Sequence, residues 1–175
     1  MRTPGIPDAS TDPDSDIRIG RDLHATDWKR LADIMARAPL AVRAPGDLAR
    51  AYANSFAAAF AWHGDTLIGG ARAVSDGVFY ATIYDVVVDP DWQGVGAGRR
   101  LVADLLDRLP FDKIFLTAAP GKQGFYEKLG FLRQTNAMGW YSAPARAEAL
   151  ARGVLVGPGD STGCLASARK TTISE

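Results

Sequence analysis

The residues best suited to chemistry stand together in Val86-Val87-Val88-Asp89-Pro90-Asp91-Trp92-Gln93-Gly94-Val95-Gly96-Ala97-Gly98-Arg99-Arg100, an apolar run that feeds a glycine-rich turn and then a helix-forming stretch. Such a turn points successive backbone N–H groups at one spot beside a helix N-terminus, where unpaired amides and the helix dipole favour an anion. The chemistry it predicts is the binding of a phosphate or pyrophosphate. Spacing separates the motifs that share this description. A P-loop requires Gly-Lys followed by Ser or Thr, whereas Gly96 is followed by Ala97 and Gly98 by Arg99. A dinucleotide-binding turn requires a third glycine three positions after the second, where Arg99 or Leu101 stands. It also requires an acidic residue near the end of the next strand, and none stands around Thr117 and Ala118. Neither motif fits.

What remains is Gln93-x-x-Gly96-x-Gly98 behind an apolar strand and Asp89-Pro90. This resembles the acyl-CoA signature of the GNAT superfamily of N-acyltransferases: Arg or Gln, two residues, Gly, any residue, then Gly or Ala. Further along, Gly124-Phe125-Tyr126-Glu127-Lys128-Leu129-Gly130-Phe131 is similar to the second signature of that superfamily, a tyrosine-bearing helix ending in Leu-Gly-Phe. Asp85-Val86-Val87-Val88-Asp89-Pro90, Gly124-Phe125-Tyr126 and Met138-Gly139-Trp140-Tyr141 together look closest to the serotonin and arylalkylamine N-acetyltransferase-like branch. The resemblance covers residues 16–141. It implies an α/β (α+β) protein with the GNAT acyl-CoA N-acyltransferase fold: a central mixed, mostly antiparallel sheet flanked by helices, with one strand split by a bulge. It also implies acetyl-CoA as cosubstrate and a small primary amine as acceptor. A protein lysine or N-terminal amine is the alternative acceptor, and a non-catalytic acyl-CoA sensor is the alternative outside enzymes.

Transfer of an acyl group from a thioester to an amine demands a neutral amine, a held thioester, stabilisation of the oxyanion and a proton for the departing thiolate. By resemblance, the backbone of Val86, Val87 and Val88 pairs with the pantetheine arm, with an N–H near Val87 offered to the thioester carbonyl. Gln93, Gly94, Val95, Gly96, Ala97, Gly98 and Arg99 cradle the pyrophosphate. Three consecutive valines are also what a doubly buried strand looks like, and backbone contacts leave their side chains free for that. Tyr126 falls where the superfamily often places its general acid, and a phenol with a pKa of about 10 can donate to a thiolate. Asp85 stands beside the valines. It is a candidate to take the amine proton, to order a water that does, or to bind the ammonium; otherwise it is a buried carboxylate satisfied by backbone amides.

Other reactive residues have plainer readings. His24 and His63 sit beside turns and suit surface or capping roles, and neither has ligand-type neighbours at metal-binding spacing. Trp28 reads as core, Arg43 belongs to a region that varies with the acceptor, and Trp140 with Tyr141 would form an aromatic wall. The lone cysteine, Cys164, excludes an intrachain disulfide and a multi-cysteine metal site.

These residues must be positioned by alternating elements. Residues 1–15 read as a disordered leader, rich in Pro, Asp, Ser and Thr. Ile17 and Ile19 suggest a strand over 16–20; Trp28, Leu31, Ile34 and Met35 mark a helix after Thr26; a second helix follows from Pro45 to about Asn54. Strands over 56–62, 66–74 and 78–88 meet at His63-Gly64-Asp65 and Ser75-Asp76-Gly77. Leu101, Val102, Leu105, Leu106 and Leu109 stripe the helix after the glycine turn, Ile114 begins a short strand, and residues 124–129 form the tyrosine-bearing helix. A terminal hairpin is expected from 131–133 and 138–141. Residues 142–175 form an extension, with a short helix over 143–152 and then a loose tail.

Composition bounds the rest. A chain of 175 residues, 47% hydrophobic and formally neutral, suits one domain without a broad basic surface for nucleic acid. No apolar run has the form of a signal peptide or the length of a membrane span, so a cytoplasmic protein is expected, free or as the homodimer common in the superfamily.

Overall fold

Alternation of Ile17 and Ile19 with charged residues produces β1, Ile17–Gly20, at one edge of a five-stranded sheet. The structure, a computed structural model, describes residues 16–156. The expected leader, and residues 157–175 of the expected extension with Cys164 among them, lie outside the described residues. In chain order the other elements are α1 (Trp28–Arg37), α2 (Pro45–Ala53), β2 (Ala57–His63), β3 (Thr66–Ser75), β4 (Tyr80–Val88), a 3-10 turn (Pro90–Trp92), α3 (Ala97–Arg108), β5 (Lys113–Leu116), α4 (Gln123–Glu127) and α5 (Ala143–Ala151). Among the described residues, backbone contacts give two compact units, divided between Thr117 and Ala118.

The first unit holds the whole sheet, in the order β1-β2-β3-β4-β5. Every pairing is antiparallel except that of β4 with β5. Two-residue periodicity gives each strand two different faces. On one face Phe60 is opposite Gly70 and Ala58 opposite Arg72, and here Leu31, Ile34, Met35, Leu48 and Tyr52 of α1 and α2 form the core with Phe60 and Val87. The other face presents Ala57, Ala59, Ala61, Gly69, Ala71 and Ala73, small residues that let α3 bury Leu101, Val102 and Leu105 close to the backbone. Burying each leucine contributes roughly 1.5–3 kcal/mol.

Local chemistry sets the ends of these elements. Asp27 caps α1 by accepting hydrogen bonds from Lys29 N and Arg30 N, both at 3.0 Å, a contribution of about 1 kcal/mol. Thr26 is buried and donates its hydroxyl to the Asp22 carbonyl at 2.8 Å. β4 begins two residues later than expected because Asp76 Oδ1 accepts from Val78 N and Phe79 N at 2.9 and 2.8 Å, extending the turn. Those bonds hold the Asp76 carboxyl below the usual carboxylate range.

In the second unit α4 and α5 form, and Gly130 ends the α4 region with φ 89. The hairpin expected from 131–133 and 138–141 does not: residues 131–141 contain no strand. A lone two-stranded hairpin needs a buried apolar face or a third strand. Leu132, Met138 and Trp140 are instead almost fully exposed, and Gln134-Thr135-Asn136-Ala137 lacks the glycine that a tight hairpin turn favours. No helix among the described residues is long and apolar enough to cross a membrane.

Candidate active site

Two features of β4 build the site in the first unit. Its parallel pairing with β5 runs from Tyr80 opposite Lys113 to Ile83 opposite Leu116 and stops there. Beyond Ile83, residues 84–88 have no strand on that side among the described residues, so backbone N–H and C=O groups are left for another extended partner. On its other side, β4 pairs Val87 with Gly70 and Tyr84 with Arg72, which leaves Asp85 and Val86 together opposite Ala71. This is a β-bulge, and Asp85 carries it with φ 54, the one non-glycine at positive φ among the described residues. Such a conformation costs an ordinary residue roughly 1–3 kcal/mol. The neighbouring Gly69 is required by proximity: a Cβ there would lie 2.5 Å from the Val87 carbonyl oxygen.

Past Val88 the chain turns into the cradle. Asp89 is fully buried, and its carboxylate binds Arg30 and Arg37 of α1 while Oδ1 accepts from Asp91 N at 3.1 Å. Gln93 Nε2 donates to the Val88 carbonyl at 3.1 Å, bracing the turn across its base. Gly94 and Gly96 take φ 88 and 85, left-handed values that only glycine adopts freely. A Cβ at Gly94 would meet nothing within 4 Å, so the turn has open space beside it. Gly96 is the N-cap of α3, where no side chain caps the helix and no acidic residue occupies the first turn. Unclaimed amides, a helix dipole and absent negative charge fit a pyrophosphate. Arg99 is exposed at this end, whereas Arg100 donates to the Ile17 carbonyl at 2.7 Å and ties α3 to β1.

The Asp85 carboxylate does not stand alone. Oδ2 accepts from Arg72 Nε at 2.5 Å, and only 12% of the aspartate side chain is exposed. The Arg72 guanidinium lies 5.2 Å from the Tyr84 ring centre and 6.0 Å from that of Tyr52, with Nη1 3.5 Å from Ser55 Oγ. The Tyr52 hydroxyl is buried without a hydrogen-bond partner. Burial pushes its phenol far above the ordinary range, the Asp85 charge adds to the rise, and Arg72 opposes it.

Tyr126 belongs to the second unit. It lies on α4, half-buried, with its ring 4.9 Å from Phe125 and 5.9 Å from Phe131. Burial raises its phenol pKa, so the group is a proton donor at neutral pH.

The remaining candidates are placed as follows. His63 packs on Trp92, ring centres 4.3 Å apart, and His24 is exposed in a turn. Trp28 makes edge contacts with Tyr52 and Phe60 in the core, Arg43 is exposed, and Trp140 stands on irregular backbone. Sequence reasoning missed Arg72 and the arginine pair on Asp89. A charged residue inside Gly69-Gly70-Ala71-Arg72-Ala73-Val74 was the only local signal for the first. Nothing local linked Asp89 to partners 52 and 59 residues away.

Residues 25–131 match the family described as the acetyltransferase (GNAT) family. The N-acetyltransferase ycf52 of Pyropia yezoensis is 43% identical over 81 residues, covering 43% of this chain and 47% of that protein. Serotonin N-acetyltransferase 2 of Oryza sativa subsp. japonica is 49% identical over 72 residues, covering 39% of this chain and 36% of the relative. The chain thus matches less than half the length of either. A GNAT-family acetyltransferase of Streptococcus pneumoniae shares the fold, with a TM-score of 0.62 at 22% identity over 73% of this chain and 98% of that one.

Proposed function

Because the chain belongs to the GNAT acetyltransferase family, we propose that it is an acetyl-CoA-dependent N-acetyltransferase acting on a small primary amine, an arylalkylamine or a similar molecule, with both substrates bound together. The observation that carries the reading is the continuity between the open edge at residues 84–88 and the uncapped N-terminus of α3 behind Gly94 and Gly96. Similarity to the rice serotonin N-acetyltransferase supports the choice of a small amine.

The backbone of Val86, Val87 and Val88 offers extended pairing to the pantetheine arm, and an N–H near Val87 would be offered to the thioester carbonyl. Residues 93–99 hold the pyrophosphate, Gln93 by bracing the turn and Gly94, Val95, Gly96, Ala97, Gly98 and Arg99 by lining it. Acetyl-CoA, when bound, supplies the thioester whose acetyl carbon the amine attacks. The amine proton goes to a water or to Asp85, the N–C bond forms, and Tyr126 gives its phenolic proton to the sulfur as the C–S bond breaks. Solvent then restores the phenol. Two roles need no side chain at all, because backbone donors aimed at developing charge are already oriented by the strand.

Calorimetry with CoA, together with a free-thiol assay over arylalkylamines, other small amines and lysine peptides, tests the proposal. CoA binding with thiol release on small amines is expected. Release only on peptides would move the acceptor to protein, and binding without release on any acceptor would leave an acyl-CoA sensor.

A further inference from the structure

Arg72 and Asp85 occupy the one place where β3 and β4 lose register, and Asp85 holds a backbone conformation otherwise taken only by glycine among the described residues. We propose that the two form a positioning pair that locks the β4 bulge, so that Asp85 shapes the open edge of residues 86–88 rather than taking the amine proton. The inference rests on the acyl-transfer reading of that edge and assigns its geometry to two side chains.

Three observations converge. First, the residue that starts a bulge of this kind is normally glycine, because its backbone is left-handed. Aspartate is among the few others that visit that region, since its short polar side chain can bond locally. Second, the bond it makes spans the bulge itself: Arg72 pairs in register with Tyr84, the residue before Asp85, and its Nε reaches Asp85 Oδ2 at 2.5 Å. Third, the arginine is itself confined, between the rings of Tyr84 and Tyr52 and beside Ser55 Oγ. A fixed guanidinium and a fixed carboxylate define one backbone geometry at residue 85. The backbone that leaves this point carries Val86, Val87 and Val88 along the edge that β5 does not cover.

A base and a positioning residue respond differently to glycine. Asp85→Gly and Asp85→Ala both delete the carboxylate, but glycine takes the left-handed backbone without strain and alanine does not. The proposal predicts that kcat/KM for acetyl-CoA in Asp85→Gly exceeds that in Asp85→Ala by at least about tenfold, mainly through KM. Arg72→Met, which leaves the carboxylate without its partner, should resemble Asp85→Ala, and Arg72→Met/Asp85→Gly should recover most of the loss. Amide hydrogen exchange at residues 86–88 supplies a readout independent of turnover: faster in Asp85→Ala and Arg72→Met, close to wild type in Asp85→Gly.

Equal and large losses of kcat in Asp85→Gly and Asp85→Ala, with exchange unchanged in both, would make Asp85 the base and overturn the proposal. Wild-type exchange and kinetics in all three single variants would overturn it as well. Failure of the wild-type protein to bind CoA would strike the acyl-transfer reading instead, and the exchange comparison would still decide whether the pair locks the bulge.

Discussion

The carboxylate of Asp89 meets the guanidinium of Arg37 at 2.9 Å while none of the aspartate side chain is exposed to solvent. Arg30 reaches the same oxygen, and Arg37 also holds Asp91 at 2.7 Å. Asp89, the residue just past the end of β4, is thereby tied to the first and last turns of α1. A buried charge of this kind is stable only while its partners remain, because removing it from water has a cost that the pair must offset.

Asp89→Asn should therefore lower stability by about 3 kcal/mol, at the lower end of values for broken buried pairs because both arginines keep some access to solvent. Arg37→Met should cost less, since Arg30 remains on the carboxylate. Urea unfolding measures both, and equal losses would show that the two arginines are not redundant partners.

Gly96 sits at φ 85 on the edge of the open turn. Gly96→Val should weaken CoA binding more than tenfold by calorimetry, through a side chain in the cradle and about 1–2 kcal/mol of backbone strain. Unimpaired binding would remove this turn from the cofactor site.

Tyr126→Phe should reduce kcat about 100-fold, the scale of one general acid, with CoA affinity unchanged. Burial raises the phenol pKa, so the proton is retained to higher pH than in a free tyrosine. The wild-type rate should hold until above about pH 10 before any alkaline fall due to this group, and the phenylalanine variant should lack that fall. Unchanged kcat would exclude Tyr126 from proton transfer.

Tyr52 makes a stability prediction. Its buried phenol has a raised pKa in the folded state, so its neutral form stabilises the fold fully below the unfolded value of about 10, and that contribution is lost as pH rises. Because the hydroxyl has no partner, Tyr52→Phe should leave neutral-pH stability equal or slightly higher and flatten the alkaline loss. A fall of several kcal/mol at pH 7 would reveal a bond that the hydroxyl makes in solution.

Much of this arrangement was legible residue by residue. Periodicity located α1 through Leu31, Ile34 and Met35, the stripe Leu101, Val102 and Leu105 located α3, and glycine spacing located the turn ahead of α3. These are local properties: a helix or a tight turn is specified by side chains a few positions apart. The hairpin over 131–141 failed because strands are completed by neighbours, and alternation cannot say whether a neighbour will be there.

The sequence by itself determined the family, the order of strands and helices as far as α4, and the glycine-rich turn ahead of α3. Tertiary structure alone decided that Arg72 holds Asp85, that Arg30 and Arg37 hold Asp89, and that β5 stops at Leu116 and leaves the valines uncovered. Ion pairs between distant residues and the ends of strand pairing depend on which chain segments meet in space. The pattern of residues along any one segment does not contain that information.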